Sequence, residues 1–195
     1  MRSRRGRADD MRSFGTFSDY GAVFVEITKS NHRHGGQGWE FGTCLWSPSL
    51  NRAGNDRYAL MREPQQGDLV IHIYRDAWPD SAIESRICGY SCVQSSARMV
   101  EIEPPAPGDW AGMSPYYRID LIGYGDFPRT LSVRRFLETH GEGVRREILD
   151  NRPKYFPFTT HGDSLRTVQG IYLSRCTENL FTAIRHALGI DQKNL

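Results

Sequence analysis

The chain lacks any apolar run approaching the roughly 20 residues that a membrane-spanning helix requires. No hydrophobic segment follows its arginine-rich start, "MRSRRGRADDMRSFG", so the sequence predicts neither a membrane span nor a secretory leader. Cysteine is scarce: four thiols (Cys44, Cys88, Cys92, Cys176) without an export signal are expected reduced, in a cytoplasm. Cys88 and Cys92 share one face of an expected strand, but their spacing is not that of a Cys-x-x-Cys zinc hook. Charge of one sign is also missing. A formal net charge of +2 over 195 residues does not by itself announce a polyanion partner, so any basic footprint must be local. Nothing resembles Gly-x-x-x-x-Gly-Lys-Ser, no nuclease-like metal cluster stands out, and there is no internal repeat. His72, Tyr74 and Asp76 could form half of an acid–base site, yet no serine or cysteine nucleophile motif stands near them.

What is present reads mainly as strands. The sequence predicts them over 22–29 ("AVFVEITK"), 67–76 ("GDLVIHIYRD"), 86–96 ("RICGYSCVQSS"), 116–125 ("YYRIDLIGYG") and 170–175 ("GIYLSR"), the second and third as an antiparallel pair. Helices are predicted over 131–140, 142–151 and 177–189. The last has Thr177 as N-cap, an apolar stripe at Leu180, Phe181, Ile184 and Leu188, and Gly189 as its stop. The first two, parted by Gly141 and Gly143, superficially offer an arginine-bearing helix-turn-helix, although acidic residues interleave. The expected architecture is α+β: a small curved sheet or barrel of about five to six strands flanked by a few helices. Residues 1–18 read as a basic flexible arm, 19–190 as a single domain and 191–195 as a tail.

Two stretches stand apart from this pattern. "HGGQGWEFGTCLWSPSLN" (34–51) holds Trp39 and Trp46 among glycines and a Ser-Pro step, and reads as a loop. "EPPAPGDWAGMSP" (103–115) is a Pro-rich connection around Trp110, long enough to suggest a task beyond linking strands. Trp39 is assigned to packing, and Trp78, beside Pro79, to a half-exposed turn. His32 and His34 could contact a metal, but no third ligand is near, so neither metal nor cofactor is expected.

The order of these segments resembles the YTH and EVE branch of the PUA-like superfamily. The resemblance is carried by "EITKSNH" (26–32), "GTCLWSP" (42–48), "GDLVIHIYRD", "ICGYSCVQ" and an isolated Trp110 before "YYRIDL". The later "YFPF…LRTVQGIYL" (155–173) is similar to the tail of YTH-like modules fused to McrB-type modification-dependent restriction enzymes. It covers roughly residues 22–188. It implies a small β-barrel with flanking helices that binds a methylated base, in RNA for the YTH branch and in DNA for the restriction-associated relatives. By motif, Lys29, Ser30 and Asn31 fall at the edge of the base pocket, Trp46 and Ser47 at its first wall and backbone contact, and Trp110 at its second wall. The glycine- and histidine-rich loop from His32 to Phe41 departs from the eukaryotic readers, and the side chain that bonds the purine ring in those readers has no counterpart.

These residue types suit that chemistry. An extruded base needs π surfaces on its faces and hydrogen bonds at its edge, and the Asn31 amide both donates and accepts. Tyr74 is a candidate pocket-lining residue, although the face of the strand it shares with His72 reads first as a polar outer surface. Lys29, Arg33, Arg57 and Arg75 are candidates for phosphate contact. The expectation is therefore a monomeric, non-catalytic binding module for nucleic acid carrying a modified base, DNA ahead of RNA. Any nuclease or GTPase would sit on a fused segment or partner. An RNA-binding module, or a small-molecule or peptide binder using the same slot, are the alternatives.

Overall fold

A computed structural model describes residues 14–29, 42–76, 84–105, 107–168 and 171–190. Among these residues nine strands and two α-helices follow one another: β1 (Val23–Lys29), β2 (Cys44–Pro48), β3 (Leu69–Asp76), β4 (Glu84–Val93), β5 (Arg98–Val100), β6 (Tyr116–Ser132), α1 (Val133–Asn151), β7 (Phe158–His161), β8 (Ser164–Thr167), β9 (Leu173–Arg175) and α2 (Glu178–Leu188). The main sheet runs β2-β6-β4-β3-β1-β9, with β5 added on β6, while β7 and β8 form a separate hairpin. Only β1 and β3 pair in parallel among these ladders, with Val25 opposite Ile71; β3 and β4 form the expected antiparallel pair. The sheet curls into a half-barrel with the helices on its outside, the α+β architecture expected.

Alternation along β3 builds two cores at once, because successive side chains of a strand leave on opposite faces. Leu69, Ile71 and Ile73 join Val23, Val25, Phe136, Val144, Phe181 and Ile184 beneath the helices. Val70 joins Phe24, Leu45, Ile119, Leu121 and Tyr172 in the interior of the curl. Each such fully buried side chain contributes about 1.5–3 kcal/mol. Phe14, expected in the flexible arm, is buried in the helix-side core, so the packed region reaches back to it.

Strong bending needs interruptions. Register shifts occur in the β4–β6 ladder between Ile87 and Gly89 and between Tyr90 and Cys92. At Gly89 the two strands come so close that a Cβ would lie 2.5 Å from the Gly125 carbonyl oxygen, and only glycine fits there.

Three expectations are corrected. The 131–151 region is one helix, not two, capped by the Ser132 hydroxyl, which accepts from the Arg135 N–H at 3.3 Å. It continues through Gly141 because that face packs on β8, where a Cβ would already stand 3.1 Å from Leu165 Cδ1. That continuity removes the helix-turn-helix. The segment around Trp46, read as a loop, is strand β2 and buried throughout. The 158–167 hairpin was not anticipated. Helix α2 matches its signals: Thr177 Oγ1 accepts from Leu180 N–H at 3.3 Å, and Gly189 closes the helix at φ +71°. No helix among the described residues is long and apolar enough to cross a membrane.

Candidate functional site

Alternation along β2 sends Leu45 into the interior cluster and Cys44 and Trp46 into a third one with Tyr116. Trp46 stands directly opposite Arg118 on β6. The ring is 3% exposed, and the Arg118 guanidinium carbon sits 4.6 Å from its centroid, a cation–π contact. Asp120 fixes that arginine by accepting from Nε at 3.1 Å and also pairs with Arg98. Those bonds, the one from Arg98 foremost, hold the Asp120 carboxyl below the usual aspartate range. Burial pushes the neighbouring Cys44 thiol up to about 11, so it packs as a neutral group and not as a nucleophile.

Trp110 reaches the same cluster from the 3₁₀ turn Gly108–Trp110, together with Met113 and Val100. It is half-buried. Its indole Nε1 donates to the Tyr58 hydroxyl at 3.1 Å, and its ring meets Tyr58 and Tyr172 edge-on at centroid distances of 5.6 and 5.4 Å. The turn is held from below: the Tyr116 hydroxyl donates to the Trp110 carbonyl at 2.8 Å and accepts from Met113 N–H at 3.1 Å. Gly112 N–H donates to Glu103 Oε2 at 2.6 Å. Two tryptophans 64 positions apart in the chain thus share one cluster, Trp46 within it and Trp110 packed against it.

Beside it, the interior of the curl carries a polar network in which every named side chain is buried. His72 Nδ1 lies 2.6 Å from Glu26 Oε2 and Nε2 lies 2.7 Å from Ser91 Oγ. The Tyr172 hydroxyl donates to Glu26 Oε1 at 2.7 Å and accepts from Trp46 N–H at 3.3 Å. Tyr172 immediately precedes β9, and Trp46 lies on β2; these are the two end strands of the sheet path, so a tyrosine side chain bridges the open seam of the half-barrel. Burial raises the Tyr172 phenol well above its ordinary range, and it stays a neutral donor.

No family model matches the chain, and no curated protein matches it. Solved structures do. Human thymocyte nuclear protein 1, in complex with 5-methylcytosine-containing DNA, superposes with a TM-score of 0.52 over 90% of this chain and 100% of that chain, at 11% identity. A Pseudomonas putida protein from a structural genomics programme gives 0.51, covering 86% of this chain and 99% of that one at 12% identity. The fold is PUA-like. The N-terminal domain of Staphylothermus marinus McrB gives 0.47, at 12% identity over 89% of this chain and 98% of that one.

Within the PUA-like fold the expected site residues distribute unevenly. Trp46 and Trp110 come together. Ser47 is fully buried, and its hydroxyl donates to the Pro48 carbonyl at 3.3 Å. Tyr74 is buried at 5% exposure between Thr28 and Arg86 in the ladders and is not among the residues packed around the two tryptophans. Its face of β3, shared with His72, is interior, which corrects the expectation of a polar outer surface. Lys29 and Arg75 stand opposite each other at the ends of β1 and β3. Arg57 is exposed. Ser30, Asn31 and Arg33, with His32, His34, Trp39 and Trp78, lie outside the described residues.

Sequence reasoning missed Tyr58, Met113, Arg118 and Tyr172, which surround the tryptophans, and Glu26, which anchors Tyr172. Arg118 was detectable in principle, as the cross-strand partner of Trp46 once β2 is recognised as a strand. Among the described residues no group of three or more His, Cys, Asp or Glu could hold a metal.

Proposed function

We propose that the protein is a reader of modified bases in nucleic acid, DNA ahead of RNA, which takes a flipped or unpaired base against Trp46 and Trp110. The observation that carries this reading is the meeting of the two tryptophans in one cluster on a PUA-like fold. It is supported by the solved complex of a protein of that fold with 5-methylcytosine-containing DNA. Stacking on an indole contributes about 1–3 kcal/mol per base, and burying one methyl group about 0.8 kcal/mol. The methyl alone therefore supplies only a few-fold preference, and strong selection requires the pocket to reject the unmodified base as well. Ser30 and Asn31, following β1, and the backbone at Ser47 supply edge contacts; Lys29, Arg33, Arg57 and Arg75 meet phosphates. The module itself is non-catalytic and acts as a monomer, with any nuclease or GTPase on a fused segment or partner.

Trp46 is covered in the arrangement described, so capture requires its cover to yield. Arg118 is the group positioned to do so, because a guanidinium displaced from an indole face by a base can turn to the phosphate of the same nucleotide. The test is a binding panel of single- and double-stranded DNA and RNA, with and without methylated adenine or cytosine, at fixed salt. Trp46→Ala weakens binding of the preferred strand by about tenfold or more. A folded Trp46→Ala protein that binds as tightly as wild type removes the pocket assignment. A shallow dependence of affinity on salt favours a small-molecule or peptide ligand instead.

A further inference from the structure

Tyr58 and Tyr172 belong to two places at once. Each meets Trp110 edge-on, and each also lines a separate cavity of about 290 Å³. Tyr155, Leu60, Met61 and Val168 line it as well, together with the exposed Arg57. The volume lies just below the roughly 300–1,000 Å³ of small-ligand sites and suits one planar ring system better than an extended ligand.

The lining selects the class of ring. It offers π faces and aliphatic surface and contains no carboxylate, while cations stand beside it: the exposed Arg57 and the Lys154 ammonium 4.8 Å from the centroid of Tyr155. An aromatic slot with cations beside it matches a nucleotide, whose base is flat and whose phosphate is anionic. Tyr155 is also held in an uncommon backbone state for a bulky residue, at φ +59°. The Tyr155 carbonyl accepts from Arg175 N–H at 2.8 Å, which ties this conformation to β9. Strain that the surroundings enforce at a cavity wall marks a side chain positioned for contact.

We infer that this cavity is a subsite for the base adjoining the one captured at Trp46 and Trp110, in a single-stranded or locally opened segment. The inference rests on the reader function proposed above. The shared tyrosines bring the two sites within reach of consecutive nucleotides, and the Trp110–Tyr58 hydrogen bond couples them, so occupying the cavity braces the second tryptophan.

The test uses short single strands carrying 5-methylcytosine or N6-methyladenine, and their unmodified counterparts, each with an abasic position 5′ of that base, 3′ of it, or at neither place. Affinity is read by fluorescence anisotropy on the full chain. Wild type loses about fivefold or more with the abasic position on one side only. Tyr155→Ala shows that loss on the intact strand and no further loss on the abasic one, whereas Tyr155→Phe, which keeps the ring, follows wild type. Equal wild-type affinity for intact and both abasic strands overturns the subsite, and this comparison decides alone if Tyr155→Ala does not fold. A protein that prefers the modified base but ignores the abasic positions keeps the reader function and loses the subsite. One that ignores the modification yet discriminates the abasic position loses the reader function and keeps the cavity as a base site. Absence of binding to every strand removes both.

Discussion

The two faces of the β1–β3–β4 sheet are built on different terms. Beneath the helices, Val25, Ile71, Ile73 and Ile87 pack against aliphatic and aromatic side chains, with all four completely buried. On the opposite face Glu26 and His72, each one residue further along β1 and β3, and Ser91 on β4 are also buried but bond to one another and to Tyr172. An apolar face tolerates exchange of one hydrocarbon shape for another of similar volume. A buried polar face tolerates little, because each member depends on the others for its partners. The face that costs more to build is the one connected to Trp46. Its arrangement is explained by what it holds: the backbone of the strand bearing that tryptophan.

The largest test of the contrast is Glu26→Ala, which strands His72 Nδ1 and the Tyr172 hydroxyl together. Removing one partner of a buried pair costs about 3–5 kcal/mol, so urea denaturation should show a much lower midpoint with little change in slope. A loss below about 1 kcal/mol would mean that water takes over the network, and the contrast between the faces would fail. Tyr172→Phe is a milder break. It leaves Glu26 Oε1 and the Trp46 N–H each without the tyrosine and is expected to cost about 1–3 kcal/mol. It should also weaken binding of the strand preferred in the panel, because Trp46 loses its cross-seam anchor. A variant that loses stability but keeps full affinity would separate the network from the site. The smallest effect is expected on the apolar face, where Ile71→Val should cost about 0.5–1.5 kcal/mol in the same denaturation experiment and leave affinity unchanged.

The alternation of β3 was plain in "LVIHIYRD", and so were the caps of α2, because both are encoded by neighbours in the chain. That both faces of β3 are interior was not legible, since it depends on pairing with β1 and on a curl completed by distant segments. His72 meets Glu26 46 positions away, and Tyr172 meets Glu26 across 146 positions; no local pattern carries either contact. Gly141 and Gly143 argued for a break in α1 by propensity, and packing against Leu165 overrode it. Strand β2 was hidden by the glycines before Trp46 and the Ser-Pro step after it. The tryptophan pairing came from the order of motifs in the resemblance and not from any spacing between Trp46 and Trp110. The cavity beside Tyr155 had no signature at all, its walls coming from three separate segments.

The partnership of β1 with β9 has a consequence for synthesis. Phe24 faces Arg175 in that ladder, and the Phe14 ring lies 5.2 Å from that of Phe181, so the earliest packed residues wait for nearly the latest. A nascent chain on the ribosome therefore holds one edge of β1 unfilled until the segment about 150 positions further along has emerged, and the sheet closes only after Leu173–Arg175 has been made.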